Sequence, residues 1–416
     1  MQSVIDSGRL AQLMEQFRSG ELAGSFINQA ARLIVEQMLA AEVDEALGRA
    51  SYQRRDQGQS GYRNGFKART LKTAEGPLAV KLPQVRETPQ PFRSELWQAL
   101  GRKSPALQKL AVEMYARGLS TRDIEDLLAE LCEGEDQTLL SRSAVSCVTE
   151  ALWAEYEAFT RRDLGGFDVV YLFCDAVYES LRQQGCCSQA ILVTWGVCSD
   201  GSKVLLHMSL GNKESGDAWL EHFRSLVSRN LPTPLTVTTD GAPGLIKAAE
   251  AMWPEAERLR CWFHKMKNVL EKVPQEMHLE IKRLLQDVRD APDHETGQAR
   301  AKELIETYQK KLPSAMSCLA DDLEASLAHL KLPSLHQKMI RTTNLCERSF
   351  VEERRRTKVI PRFFDEKSCL KLVFATLWRA SGRWRGVRFS EMEKQQLQAY
   401  IRVRRAMGKN VRSIAA

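Results

Sequence analysis

The chain has 416 residues, 43% hydrophobic and 27% charged, the composition of a folded protein with more than one core. Apolar runs such as VVYLF are too short to cross a bilayer, the start MQSVIDSGRLAQLMEQF has no basic segment followed by a long apolar one, and ten scattered cysteines do not suggest a disulfide framework, so a cytoplasmic protein is expected. The net charge of +7 is uneven: Ser51 to Lys103 holds 11 Lys/Arg against 4 Asp/Glu, and Arg341 to Arg412 holds 19 against 7, which suggests two polyanion contact surfaces or, more simply, two solvated helical faces.

In chain order, FINQAARLIVEQMLAAEVDEAL has apolar residues at helical spacing and no Gly or Pro, so residues 1–50 read as helix. A Gly- and Arg-rich stretch, SYQRRDQGQSGYRNGFKART, follows, then a strand-like LAVKLPQVR whose Pro83 belongs at a sheet edge or strand end. Next come two helices separated at Gly118, the second with Ser120 as N-cap and Asp123 in the capping-box position. A third helix opens at Ser141. This is the plan of a helix-turn-helix unit, though a plain helical bundle fits the same pattern. In the first case the helix from Ser141 to Leu152 reads DNA, with Arg142, Ser143 and Ser146 near its start able to meet phosphates or base edges.

From Phe167 strands dominate. FDVVYLFCDAVY reads as a strand buried on both faces, and QAILVTWGVCSDGSKVLLHMSLG as two strands joined at Asp200-Gly201. A helix capped by Ser215, a strand ending at Asp240, another helix, and a strand ERLRCWFH complete an α/β domain with a mixed sheet. Residues 265–335 read as a helical insertion. The expected organisation is multidomain α/β: 1–100 helical and basic, 101–160 helix-turn-helix, 161–264 and 336–390 two parts of one core, 265–335 the insertion, and 391–416 a basic tail.

Three carboxylates stand out. Asp175 sits inside a continuing apolar strand, a costly place for a charge unless it is paired or bound to metal. Asp240 follows a β-branched run and leads into a helix; its Gly241 neighbour also fits a simple turn. Glu347 lies on a helix beginning near Thr343, where it shares a face with Phe350, Val351 and Arg354; taken alone it reads more simply as an ion pair with Arg348 or Arg354. If the three converge they suit hard divalent cations, with the arginines after Glu347 holding a phosphate backbone. Cys261 and His264 form a Cys-x-x-His pair that reads as half a zinc site or as a packed cysteine with a histidine near metal or DNA. Trp262 and Trp378 are expected in cores, and Trp384, within SGRWRGVR, as a base-stacking residue.

The chain resembles the mutator family of bacterial insertion-sequence transposases. The likeness is carried by YRNGFKARTLKTAEGPLAVKLPQVRE, MYARGLSTRDIEDLL, SRSAVSCVTEAL, YLFCDAVYESLR, VTTDGAPGLIKAAEAMWPEAERLRCWFHKMKNV and TTNLCERSFVEERRRTKVIPRFFDEKSCLKLVFATLWRASGRW. The resemblance implies an Asp-Asp-Glu triad at Asp175, Asp240 and Glu347, the Cys-x-x-His signature at Cys261 and His264, and the basic segment at Arg354, Arg355, Arg356 and Lys358. It also implies a ribonuclease H-like core, Mg²⁺ with Mn²⁺ able to substitute, and double-stranded DNA partners in the form of terminal inverted repeats and target DNA. Activity on DNA paired by a homodimer or larger assembly follows; the rivals are a non-enzymatic DNA-binding regulator and a metal-dependent nuclease without strand transfer. One departure is Ala176, where the family usually has glycine.

Overall fold

Helix α1 (Phe26–Leu47) turns Leu39 onto a two-stranded hairpin, β1 (Tyr62–Thr73) and β2 (Gly76–Arg86), where Leu71, Leu78 and Val80 complete a small core. The protein is described from a computed structural model covering residues 11, 14, 15, 18, 26–57, 59–132, 138–182, 188–211, 215–382 and 384–414. It divides into two compact units, 1–151 and 152–416. The Gly- and Arg-rich stretch, which carries no strand signal in sequence, enters strand β1 from Tyr62 onward. Nearly all its side chains from Tyr62 to Thr70 are exposed, so no apolar alternation marks it there, and its ladder to β2 together with the buried Leu71 holds it. Pro83, which cannot donate to the ladder, lies opposite Phe66 beside a bulge between Arg63 and Phe66.

The first unit continues with α2 (Glu95–Leu100), α3 (Pro105–Ala116), α4 (Thr121–Ala129) and the start of α5 (Arg142–Arg161). Gly118 adopts φ +95° between α3 and α4, and Ser120 and Asp123 form a reciprocal capping box, as the sequence predicts. Leu107, Ala111, Ile124, Leu128, Leu139, Leu140 and Val145 bury a core among α3, α4 and α5.

The second unit is built on a five-stranded sheet of β3 (Val169–Ser180), β4 (Ser188–Cys198), β5 (Lys203–Gly211), β6 (Thr236–Thr239) and β7 (Glu257–Arg260), in the order β5-β4-β3-β6-β7. The first three strands form an antiparallel meander, and β6 and β7 run parallel to β3. Even-numbered β3 residues, Leu172 and Cys174, share a core with Trp219 and Phe223 of α6 (Gly216–Ser228) and Leu245 of α7 (Pro243–Met252). Odd-numbered ones face the other way, where the Tyr171 hydroxyl meets His336 Nδ1 at 2.6 Å on α13 (Ser334–Ile340).

Between β7 and α13 the insertion comprises α8 (Trp262–Leu270), α9 (His278–Arg289), α10 (His294–Tyr308), α11 (Pro313–Ala320) and α12 (Leu323–Leu327), with its own core of Trp262, Ile281, Leu285, Leu304 and Leu319. Helices α14 (Asn344–Thr357), α15 (Glu366–Ser381) and α16 (Glu391–Ile414) follow, α14 packing on β3 and α15 on α14 and β5. The sequence expectation of a strand through Cys261 to His264 is corrected: β7 ends at Arg260, and Cys261 is the N-cap of α8. The apolar stretch that suggested strand instead feeds the insertion core through Trp262. The eight described cysteines are free, and no described helix is long and apolar enough to cross a membrane.

Candidate active site

Asp175 is only 7% exposed and lies on the β3 face that looks toward α13 and α14. The parallel register pairs Tyr171 with Thr236 and Phe173 with Thr238; continued by two residues, it sets Asp175 level with Asp240, at the adjacent-strand spacing of about 5 Å. Ala176, where a glycine was the resemblance's expectation, sits in strand pairing with Leu192 and is not a positive-φ residue, so alanine meets no backbone strain there.

Asp240 ends β6 in a turn. Its Oδ1 accepts the Ala242 N–H at 2.9 Å, and Gly241 adopts φ +92°. A Cβ on Gly241 would fall 0.5 Å from Nη1 of Arg260, a mostly buried side chain that fills that space. Gly241→Ala is therefore expected to destabilise the second unit by about 1–3 kcal/mol and displace Arg260. Thermal unfolding of the variant measures this; an unchanged midpoint would contradict the close approach.

Glu347 arrives on α14, whose start is strapped to the sheet edge. Thr238 Oγ1 donates to the Ile340 carbonyl at 3.0 Å, the Trp262 N–H to the Arg341 carbonyl at 2.9 Å, and the Thr343 N–H to Cys261 Sγ at 3.3 Å. Thr343, fully buried at the N-cap of α14, also has its hydroxyl 3.5 Å from Glu347 Oε1, and it is among the groups that oppose the rise of the Asp175 carboxyl. The inward face of α14 differs from the predicted one. Cys346, Ser349, Phe350, Glu353 and Thr357 are buried, while Val351 is 45% exposed and Glu347 stands half-buried at the margin.

Burial pushes the Asp175 carboxyl up to about 7; the charge of His264 opposes the rise and that of Asp240 adds to it. Two neighbouring carboxylates, one of them raised by burial, form a donor set suited to a hard divalent cation, which takes oxygen ligands. Among the described residues, the group of three metal-ligating side chains whose ligand atoms all lie within 4.8 Å of one another is Cys261, His264 and Glu347. The Asp175 and Asp240 carboxylates are therefore adjacent to this cluster and outside it.

Comparison with known sequences adds the deciding observation. The pattern of the family described as "Transposase, Mutator family" matches residues 5–386. The chain belongs to the Mutator family of transposases. It is 32% identical over 359 residues to the transposase for insertion sequence element ISRM5 of Rhizobium meliloti, covering 86% of this chain and 88% of that one. It is 31% identical to the transposase for insertion sequence element IS1081 of Mycobacterium tuberculosis, covering 84% and 83%, and 27% identical to that for IS256 in transposon Tn4001 of Staphylococcus aureus, covering 84% and 89%.

Within this Mutator-family chain the basic candidates differ in their surroundings. Arg355 and Arg356 both pair with Glu352, at 2.6 and 2.8 Å, while Arg354 and Lys358 are exposed and have no such ion pair among the described residues. At the start of α5, Ser143 and Ser146 are exposed and Arg142 pairs with Glu125 at 3.0 Å. Trp262 is fully buried, as expected. Trp378, also expected in a core, is 37% exposed and lies over Phe374 at 5.9 Å. Trp384 is half-buried, one ring face stacked on the buried Trp195 at 4.7 Å and 29°. Phe263, 55% exposed with its ring 5.4 Å from that of His264, is an aromatic beside the site that sequence reading passed over.

Sequence reading also missed a second acid pair. Glu353 is fully buried on α14 beside Glu179 of β3. Burial, then the neighbouring Glu179 carboxyl, raises the Glu353 carboxyl well above the usual range. A carboxyl raised on folding stabilises the protein fully below its unfolded pKa, and that contribution is lost as pH rises toward the folded value. Glu353→Gln is thus expected to raise stability on the order of 1–3 kcal/mol at about pH 8 and to change little at about pH 4. Denaturant melts at the two pH values test this; equal effects at both would contradict it.

Proposed function

We propose that this Mutator-family chain is a Mg²⁺-dependent Asp-Asp-Glu transposase that binds the terminal inverted repeats of its element, cleaves a DNA strand there and joins it to target DNA. The observation that carries the reading is the parallel β3–β6 register, which, continued two residues past Phe173 and Thr238, levels Asp175 with Asp240, beneath a helix whose N-cap Thr343 is tied to Cys261 and lies 3.5 Å from Glu347. An antiparallel three-strand meander extended by two parallel strands, with helices inserted before the glutamate, supports a ribonuclease H-like core. The helices α3, α4 and α5 around one core, with a glycine turn between the first two, support a helix-turn-helix role for the first unit.

Asp175, Asp240 and Glu347 would hold the cations. The chemistry supplied by Mg²⁺ held there would be activation of an attacking water or hydroxyl and stabilisation of the leaving oxygen of a phosphodiester. The chain's own contribution is positional. Pairing with β4 fixes Asp175 and the turn after β6 fixes Asp240, the Ala176 and Ala242 amides orient their oxygens, and Thr343 orients Glu347. Arg354, Arg355, Arg356 and Lys358 would then seat the phosphate backbone, as Arg142, Ser143 and Ser146 would at the repeat. Assembly as a homodimer or larger complex on paired ends belongs to the same proposal.

Incubating the protein with duplexes carrying the element's ends, with and without Mg²⁺, tests the reading. It expects metal-dependent nicks leaving a 3′-hydroxyl, followed by joined products. Binding without nicking supports a regulator instead, and nicking without joining supports a nuclease.

A further inference from the structure

Cys261 and His264 are separated by three positions across the N-cap and first turn of α8, a spacing that puts both side chains on one side of that helix end. With Glu347 they bring one sulfur, one imidazole nitrogen and one carboxylate oxygen within 4.8 Å of one another. Ligand atoms around a tetrahedral zinc ion stand about 3.5 Å apart at bond lengths of about 2.0–2.3 Å. A contraction on the order of 1 Å closes the site. Two further features point the same way. The Thr343 N–H donates to Cys261 Sγ at 3.3 Å, a contact that would stabilise charge on a sulfur ligand and opposes the rise that burial gives this thiol. His264 Nδ1 is buried without a hydrogen-bond partner.

We propose that Cys261, His264 and Glu347 form a second metal site, selective for a thiophilic cation of the zinc class, whose occupation draws Glu347 away from the oxygen-ligand site formed with Asp175 and Asp240. Sulfur and imidazole nitrogen select such a cation over Mg²⁺, which prefers oxygen. The Cys261 thiol would release its proton on binding. The three ligands leave a fourth position for water. Because Glu347 cannot serve both sites fully, the zinc-class ion would act as a brake on the chemistry proposed above; this consequence alone rests on the transposase reading.

Cobalt(II) titration of the whole metal-free protein tests the site directly, since a cobalt–thiolate bond gives a charge-transfer absorption. One equivalent is expected to produce this band in the wild type and in Asp240→Asn. The band is lost in Cys261→Ser, and in His264→Ala it requires at least about tenfold more cobalt. Circular dichroism confirms that the variants fold, and His264→Ala serves if Cys261→Ser does not. No band in the wild type, or an undiminished band in both variants, would overturn the site. In Mg²⁺-driven cleavage, each protein scored against its own zinc-free rate, the Zn²⁺ concentration for half-inhibition should rise about tenfold in His264→Ala. Equal zinc sensitivity would overturn the competition for Glu347. Absence of Mg²⁺-driven cleavage altogether counts against the transposase reading, while the cobalt band still decides the site.

Discussion

Asp240→Asn is expected to lower metal-dependent DNA cleavage by about a thousandfold or more while leaving the protein folded, the scale on which removal of a principal active-site group acts. The asparagine keeps an Oδ1 that can accept the Ala242 N–H, so the turn after β6 survives and only the negative charge is lost. Asp175→Asn should abolish activity equally but differ in stability. Burial raises the Asp175 carboxyl, so its ionised form is disfavoured by folding, and that cost grows as pH rises through about 7. A neutral asparagine escapes it. The Asp175→Asn protein should therefore unfold at a higher temperature than the wild type above neutral pH in the absence of metal. Side-by-side melts and cleavage time courses separate loss of chemistry from loss of fold; a variant that melts early and cleaves at a tenth of the normal rate would point to structure alone.

The second large effect concerns the basic segment of α14. Each phosphate contact contributes about one unit to the slope of log affinity against log salt. Arg354 and Lys358 are exposed and unpaired by carboxylates among the described residues, whereas Arg355 and Arg356 share Glu352. Replacing Arg354 and Lys358 together by alanine is expected to reduce the slope by about two and weaken binding uniformly across DNA sequences. Replacing Arg355 and Arg356 should do less, because Glu352 already offsets part of their charge. Fluorescence anisotropy over a salt series gives the slopes. Equal effects from the two pairs would show that Glu352 lets go of its arginines on DNA.

Much of this architecture could be read from residue order because the relevant signals are local. The capping box at Ser120 and Asp123, the turn at Asp200-Gly201, the N-cap at Ser215 and the start of α14 at Thr343 all depend on neighbours within a few positions. The buried strand holding Asp175 announces itself by an unbroken apolar run. What stayed hidden depends on tertiary partners. Strand β1 exposes most of its side chains, so it lacks apolar alternation. The extension of ERLR into Cys261 and beyond looked like strand because Trp262 and Phe263 are good strand residues; the insertion core claims Trp262 instead.

The site shows the same division. Asp175, Asp240 and Glu347 stand out by charge in apolar context, and the sheet register explains why the first two are level. Thr343 is an ordinary N-cap in sequence, and its tie to Cys261 forms only when the start of α14 meets the start of α8. Glu353 lies in a charged run with no local sign of burial, and helical rotation from Cys346 and Phe350 carries it inward to Glu179. Trp384 sits among arginines and glycines, which suggested DNA, while the structure uses one of its faces to cover Trp195.

The most direct measurement is a crystal soaked in Mn²⁺, with anomalous scattering used to locate the ions. Manganese is expected on carboxylate oxygens of Asp175, Asp240 and Glu347, at oxygen distances of about 2.0–2.3 Å, and absent from a matched Asp240→Asn crystal. Manganese bound elsewhere, with these three side chains unliganded in protein that cleaves its DNA, would contradict this assignment.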